Sequence, residues 1–183
     1  MKEPAQVSSL GWSQTTEAGG IFSRDATQNP VWASANMAYV RYCSSDAWMG
    51  NASAFSMHFR GQAIVQATLD ELQASYGLTS GARLLFGGCS AGARGTMVLL
   101  DSVAAQMAGV GVEVRGLLDS SLWLDVQPTS SDALGGSLLE QAQDVYGFAN
   151  VDAVIPPDCA AVYEEEPWKV RHAAVSRAPS AAF

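Results

Sequence analysis

The chain has 183 residues, of which 48% are hydrophobic, and its 18 acidic and 10 basic side chains give a formal net charge of −8. That length and apolar content are sufficient for one domain with a sizeable core. The acidic balance and the lack of a basic patch argue against nucleic acids and anionic membrane surfaces as partners.

Strand and helix patterns alternate along the chain, separated by loop-like segments over residues 1–35 and 43–56. Residue composition and apolar spacing predict, in chain order, a strand over 36–42, a helix over 59–76, a strand over 83–87, a helix over 92–108, a strand over 113–118 and a weaker helix around 138–145. This alternation predicts an α/β fold, with a mostly parallel sheet and helices on both faces. We expect a single domain over residues 1–183 with an irregular tail over 171–183.

The most specific motif is a G-x-S-x-G pentapeptide over residues 88–92, between the predicted strand over 83–87 and the next predicted helix. A nucleophile elbow needs this context, because its serine must lie exposed on a sharp strand-to-helix turn. We therefore predict that Ser90 is a catalytic nucleophile and that the N–H of Ala91 is an oxyanion donor. Two alternatives are a glycine-rich turn with an unreactive serine and an anion site at a helix N-terminus, although the lysine of a phosphate loop is lacking.

A serine nucleophile needs a base that a third group orients, and in this architecture the chain order is serine, acid, histidine. His58 precedes the serine, and His172 has the right order but lies in the patternless tail, which makes it a weak candidate. Asp119 lies at the end of the strand after the elbow helix, and Asp125 lies beyond it. At these positions an aspartate can serve as the acid of the triad or can brace the loop. The residues thus predict a nucleophile without a convincing base.

Sequence features that bear on the compartment point in different directions. The first residues lack the apolar segment of a signal peptide, whereas Asn51-Ala52-Ser53 is a glycosylation sequon, which has meaning only in a secreted protein. On the sequon alone, chance occurrence is the simpler interpretation. No apolar stretch approaches the roughly 20 residues of a membrane span.

The three cysteines have no metal-ligand spacing, and we expect neither a metal nor another cofactor.

Several segments together resemble the pectin acetylesterase/Notum family. Residues 42–50 match its signature Y-C-S-S-D-x-W-x-G, residues 59–61 match its F-R-G helix start, and residues 115–125 match its segment R-G-L-x-D-S-x-x-x-L-D. The pentapeptide around Ser90 matches the nucleophile elbow of the family. The similarity runs in order from about residue 20 to residue 169, and the form of the first signature is closer to the Notum-like branch than to the plant enzymes.

The resemblance implies an α/β-hydrolase fold and a secreted carboxylic ester hydrolase that acts through an acyl-enzyme on Ser90. Plant-type members remove acetyl groups from pectin, and Notum removes a fatty acyl group from a serine of Wnt proteins, so the implied substrate is an acylated polysaccharide or an acylated protein. Trp123 falls where the family places an aromatic residue that lines the acyl pocket; an ordinary core tryptophan is the alternative. Further candidates for the substrate pocket are Asp46, Trp48 and Asp119. For Asp46, bonding to the backbone of its own loop is the alternative.

The resemblance also implies that parts of the family's fold are not in this sequence. An E-G-G-W segment with further oxyanion donors belongs upstream, and the triad Asp and His belong downstream, so Asp119 is not the implied acid and His172 is not the implied base. The similarity stops after Lys169, where a cysteine is expected to bond a partner like Cys159. We therefore expect an internal portion of a larger esterase, cut at both ends, with little or no activity by itself. The alternative is a non-catalytic hydrolase-fold module that binds glycan or protein.

Overall fold

The computed structural model describes residues 8–121, 137–151, 155 and 157–166. The chain divides into two compact units, Met1–Cys43 and Ser44–Phe183, each of which is described by itself. This division leaves the expected single domain over residues 1–183 a prediction. The tail over 171–183 lies outside the described residues.

The first unit consists of turns and loops around a short 3-10 helix, Gly20–Phe22. Asn29, which is only 4% exposed, holds these loops together. Its Nδ2 donates to the carbonyl oxygens of Ile21 and Ser23, and its Oδ1 accepts from the N–H of Trp32 at 3.0 Å. One buried amide therefore fixes the middle of the 3-10 helix and the residue directly after it to the following turn.

The predicted strand over 36–42 is wrong, because these residues form no ladder of backbone hydrogen bonds. A strand needs a neighbouring strand to satisfy its backbone groups, and β-branched or aromatic composition does not supply one. Side chains of this segment pack on the 3-10 helix and on a loop instead. The Tyr39 ring meets Phe22 edge-on with centroids 5.3 Å apart, and the Arg41 guanidinium lies 4.1 Å from the centroid of the Trp12 ring.

The second unit contains the regular elements. In chain order they are β1 (Ala52–Ala54), β2 (Met57–Phe59), α1 (Gly61–Ser75), β3 (Arg83–Cys89), α2 (Ala91–Ala108), β4 (Glu113–Asp119), α3 (Leu138–Ala149) and α4 (Pro157–Val162). The helices predicted over 59–76, 92–108 and 138–145 and the strands predicted over 83–87 and 113–118 are confirmed as α1, α2, α3, β3 and β4. Three elements, β1, β2 and α4, have no predicted counterpart. Within the described residues, none of the helices is both long and apolar enough to cross a membrane.

β1 and β2 form an antiparallel hairpin with Ser53 opposite His58. β1 and the turn lie in the loop predicted over 43–56, whereas β2 follows it and ends at the first residue of the helix predicted over 59–76. The two turn residues, Phe55 and Ser56, both have positive φ, at 52° and 59°. This is the geometry of a type I′ turn, for which Asn-Gly and Asp-Gly are the usual sequences. The Phe-Ser pair therefore gave no sequence signal for a hairpin.

β3 and β4 pair in parallel, and their register runs from Arg83 opposite Glu113 to Cys89 opposite Asp119. The connecting helix α2 packs against both strands. β3, α2 and β4 thus form the βαβ arrangement that the alternating pattern predicts. Because both strands end together, the residues that follow Cys89 and Asp119 meet at the same sheet edge, where ligands bind in this architecture.

The hydrophobic core of the second unit joins the loop over 44–50 to β2, α2 and α3. Its buried members are Ala47, Met49, Phe59, Val98, Ala149 and Val151. The helix α2 is buried along most of its length, at Ala93, Val98, Leu99, Val103 and Met107. This burial fixes the helix that begins directly after Ser90.

Candidate active site

Ser90 occupies the bend between β3 and α2, where it is the N-cap residue of the helix. Its φ of 53° and ψ of −114° lie in a region that residues other than glycine rarely adopt. Such backbone strain persists only where the surrounding structure holds it, and it clusters at active sites. Ser90 is also exposed. The strand–turn–helix context that the pentapeptide predicts is therefore present.

Gly88 allows the chain to make this bend. A Cβ at Gly88 would lie 2.3 Å from the carbonyl carbon of Gly92, a separation that no side chain could occupy. A Cβ at Gly92 would meet only the Trp48 Nε1, at 3.9 Å. The first glycine of the motif is therefore required by close backbone packing, whereas the space beside the second is open.

The backbone around Ser90 is held on both sides. The Ser90 N–H donates to the carbonyl oxygen of Asp119 at 3.1 Å, and the Ser90 carbonyl accepts from the N–H of Arg94 at 3.1 Å. Ala91 is the first residue of α2, so its N–H has no acceptor within the helix. The helix dipole adds positive potential at this end. These are the properties that an oxyanion donor needs.

Asp119 ends β4 at the same sheet edge as Ser90, and it is exposed. Its Oδ1 accepts a hydrogen bond from the Ser120 hydroxyl at 3.1 Å, and Ser120 itself has a φ of 53°. Of the two roles left open for Asp119, this bond favours bracing of the turn after β4. Its place in a substrate pocket stays a prediction.

Asp46 is fully buried, with 0% of its surface exposed. Its carboxylate accepts hydrogen bonds from the Ser44 hydroxyl at 2.5 Å and from three backbone N–H groups, those of Trp48 at 2.9 Å, Gly50 at 3.0 Å and Gly61 at 2.7 Å. A buried carboxylate is tolerated only when it is compensated in this way. The arrangement favours the backbone-bonding role of Asp46 over contact with a substrate, and it joins the loop to the start of α1.

The loop that Asp46 braces contains three residues other than glycine with positive φ. They are Ser45 at 50°, Ala47 at 50° and Trp48 at 66°. Each residue held in such a region costs about 1–3 kcal/mol. The hydrogen bonds to the Asp46 carboxylate offset this strain, because each bond to a charged group contributes about 1.5–3 kcal/mol.

Trp48 connects the braced loop to the elbow helix. It is 8% exposed, and a Cβ at Gly95 would lie 2.5 Å from the Trp48 Cβ. The Trp48 side chain therefore lies against the first turns of α2, the helix whose N-terminus holds Ser90. Gly95 was not among the residues singled out from the sequence, although a glycine inside a helical pattern is a signal of close packing. The role of Trp48 in lining the substrate pocket stays a prediction.

The other predicted site residues do not join the elbow in the described part of the chain. Trp123, Asp125 and His172 lie outside it. His58 belongs to the hairpin, where its Nδ1 is 2.9 Å from the Ser53 hydroxyl.

Cys43 and Cys89 are free thiols, and the side chain of Cys159 lies outside the described residues. Among the described residues, no cluster of three His, Cys, Asp or Glu side chains could hold a metal ion.

Comparison with known proteins adds a family and several relatives. A family model described as Pectinacetylesterase matches residues 2–172. The human palmitoleoyl-protein carboxylesterase NOTUM is 34% identical over 171 residues, which cover 88% of this chain and 34% of the human protein. The Drosophila melanogaster palmitoleoyl-protein carboxylesterase NOTUM is 30% identical over 174 residues, which cover 89% of this chain and 25% of that protein.

A solved structure extends the similarity to three dimensions. The crystal structure of the Wnt deacylase Notum from Drosophila matches with a TM-score of 0.80 at 29% identity, covering 91% of this chain and 49% of that chain. This match confirms the α/β fold class predicted from the sequence. The chain spans a quarter to a third of the length of these curated relatives and about half of the solved chain.

Proposed function

This chain belongs to the pectinacetylesterase family, and we propose that it is the part of a serine carboxylesterase that carries the nucleophile, Ser90, and one oxyanion donor, the Ala91 N–H. The observation that carries the proposal is the exposed bend at Ser90, with its φ of 53° between β3 and α2. A bend of this kind lifts a serine hydroxyl out of the sheet edge next to unpaired helix N–H groups. The names of the relatives, carboxylesterase and deacylase, support ester hydrolysis.

The proposed reaction has two steps. A base takes the proton from the Ser90 Oγ as the Oγ attacks the ester carbonyl carbon, and the carbonyl oxygen becomes an oxyanion that accepts from the Ala91 N–H. The intermediate then collapses, the alcohol leaves with the proton from the base, and the acyl group stays on Ser90. In the second step the same base takes a proton from water as the water oxygen attacks the acyl carbon. The bond between that carbon and the Ser90 Oγ then breaks, the Oγ takes the proton back from the base, and the carboxylic acid leaves. We assign the base and its orienting acid to segments outside this chain.

For the substrate we propose an acylated protein, because relatives that match over most of this chain are palmitoleoyl-protein carboxylesterases. An acetylated polysaccharide is the second candidate, since the family is described as Pectinacetylesterase. We also propose that the protein is secreted, as the family resemblance implies. Trp48, Trp123 and Asp119 are the side chains that we assign to the substrate pocket.

The rival proposal is a non-catalytic module that binds glycan or protein through the same sheet edge. The test measures hydrolysis of p-nitrophenyl acetate by this chain joined to the N- and C-terminal segments of a full-length relative. We expect turnover that Ser90→Ala abolishes. Ser120→Ala is the matched control, because Ser120 also directly follows a strand with a left-handed φ of 53° but precedes no described helix. Equal rates for the joined protein and its Ser90→Ala variant would contradict the esterase and favour the binding module.

A further inference from the structure

The sequon Asn51-Ala52-Ser53 lies on the β1–β2 hairpin, a part of the molecule that the proposed esterase reaction does not use. We infer that Asn51 is a site of N-linked glycosylation. The inference rests on the secretion included in the proposed function, but it concerns a different surface and a different chemistry. A sequon by itself is a weak signal, but the hairpin fixes the side chains of this one in positions that favour modification.

Side chains alternate between the two faces of a strand. On the hairpin, Asn51 and Ser53 are exposed, and His58 is the cross-strand partner of Ser53. The next residue of β2, Phe59, is 3% exposed and belongs to the hydrophobic core. The sequon therefore lies on the solvent face of the hairpin, while the opposite face supplies the core.

The amide of Asn51 is held with its oxygen engaged and its nitrogen open. Its Oδ1 accepts a hydrogen bond from the Arg60 Nη1 at 3.0 Å, and its backbone N–H donates to the carbonyl oxygen of Ala149 at 2.7 Å. Within the described residues, this contact with Arg60 is the one hydrogen bond of the Asn51 side chain, so its Nδ2 donates none. Because the amide is planar, an oxygen fixed on Arg60 turns the nitrogen away from that guanidinium. The Asn51 Nδ2, to which the sugar would be attached, is thus not occupied by the contact with Arg60.

Arg60 holds both polar residues of the sequon. Its Nη2 donates to the Ser53 Oγ at 3.1 Å, and the same Oγ lies 2.9 Å from the His58 Nδ1. These contacts brace the hairpin. They use the Asn51 oxygen and the Ser53 hydroxyl and leave the Asn51 Nδ2 unused, so bracing of the hairpin and a glycan on the nitrogen are compatible in the folded protein.

The apolar side chains of the hairpin lie on the face opposite the sequon. Met57 comes two residues before the buried Phe59 and so shares its face of β2. The Phe55 ring meets the Phe148 ring edge-on, with centroids 5.6 Å apart. A bulky, solubilising glycan on Asn51 would therefore extend from the other face of the hairpin and leave these packing contacts intact.

The transfer needs a lipid-linked oligosaccharide pyrophosphate as the donor. A bond forms between the Asn51 Nδ2 and C1 of the first sugar, and the bond between that C1 and the pyrophosphate oxygen breaks. The lipid pyrophosphate leaves with the electron pair, and the Nδ2 gives up one proton to a base of the transferase. No oxidation or reduction takes place.

The test translates the full chain behind a secretory leader in the presence of microsomes. We expect one species of lower electrophoretic mobility that peptide-N-glycosidase removes, leaving aspartate at position 51 in the peptide mass. Asn51→Gln should abolish this species while keeping an amide for Arg60, and Ser53→Thr should preserve it. Gly77→Asn is the positive control, because it places a second sequon before Leu78-Thr79 in a loop where nothing lies within 4 Å.

A glycan at the Gly77→Asn site together with an unmodified Asn51 would overturn the inference. The esterase proposal is tested separately, since Ser90→Ala changes neither sequon residue. A chain that carries the glycan on Asn51, alongside a joined protein that lacks the ester turnover expected under Proposed function, would contradict the esterase alone.

Discussion

Trp48 lies against α2 at Gly95, so closely that a Cβ at Gly95 would be 2.5 Å from the Trp48 Cβ and 2.9 Å from the Ala47 carbonyl oxygen. The contact joins the loop braced by Asp46 to the helix that begins after Ser90. The position of the candidate nucleophile therefore depends on a loop that precedes it by some forty residues of sequence and on a glycine that lies outside the G-x-S-x-G motif.

Gly95→Ala should destabilise the protein by about 1–3 kcal/mol or more, because the added methyl group overpacks this contact. Gly147→Ala is the matched control, since it makes the same change inside a helix at a site with nothing within 4 Å. There the change should stabilise the protein by about 1 kcal/mol through helix propensity. Urea denaturation measures both; a stabilising Gly95→Ala would contradict the packing described for Trp48.

Asp46→Asn should destabilise the protein by about 3 kcal/mol. The amide presents an NH₂ group to donors that need an acceptor, and leaving buried N–H groups unsatisfied costs about 1–3 kcal/mol each. Asp101→Asn is the control, because Asp101 is exposed on α2, and its effect should lie within about 0.5 kcal/mol. Equal denaturation midpoints for Asp46→Asn and Asp101→Asn would show that the Asp46 carboxylate does not brace the loop.

The elbow could be predicted from the sequence because its signals are local. The glycine at position 88, the serine at 90 and the apolar run before them fall within a few residues, and the bend requires that spacing. The strand over 36–42 could not be judged in this way. Its residues favour a strand, but a strand needs a partner elsewhere in the chain, and in the described structure these residues pair with none.

The braced loop shows a second limit of sequence reasoning. The pattern around Asp46 left two roles open, and only the structure shows that its carboxylate meets the N–H of Gly61 at 2.7 Å, fifteen residues away. The hairpin is similar, because Phe55 and Ser56 adopt a turn that other residues usually make. By contrast, the helix start at Ser137 had a readable signal, since Ser137 and Glu140 have the spacing of a capping box.

The capping box at α3 should make stability depend on pH. The Ser137 N–H donates to the Glu140 carboxylate at 2.6 Å, and the Glu140 N–H donates to the Ser137 hydroxyl at 3.2 Å. The backbone hydrogen bond from Ser137 lowers the pKa of Glu140 below its ordinary value of 4.5. A lowered folded-state pKa contributes stability that is present above 4.5 and is lost as the pH falls through the folded value.

We therefore expect Glu140→Gln to flatten the acid limb of the stability curve below pH 4.5. Glu71→Gln, at an exposed position of α1, is the control variant, since it also replaces one carboxylate by an amide. At neutral pH, Ser137→Ala should cost about 1 kcal/mol, as is typical for loss of an N-cap side chain. Thermal unfolding followed across the acid range measures these effects; an unaltered acid limb in Glu140→Gln would contradict the linkage.

The 183-residue chain by itself should turn over p-nitrophenyl acetate little or not at all. Removing the base and acid from a serine hydrolase lowers its rate by about 10⁴-fold or more, and we assign both groups to segments outside this chain. The comparison is between the chain and its Ser90→Ala variant at equal concentration. Turnover that Ser90→Ala removes would show that the chain already contains a working base.

The reactivity of the Ser90 hydroxyl is tested most directly by a fluorophosphonate, which forms a covalent bond to an activated serine. The chain joined to the flanking segments of a full-length relative is treated with the probe, digested and mapped by mass spectrometry. We predict that the label lies on Ser90 and is absent from Ser120. Labelling that Ser90→Ala leaves unchanged, or no labelling at all in the folded joined protein, would contradict the assignment of Ser90 as the nucleophile.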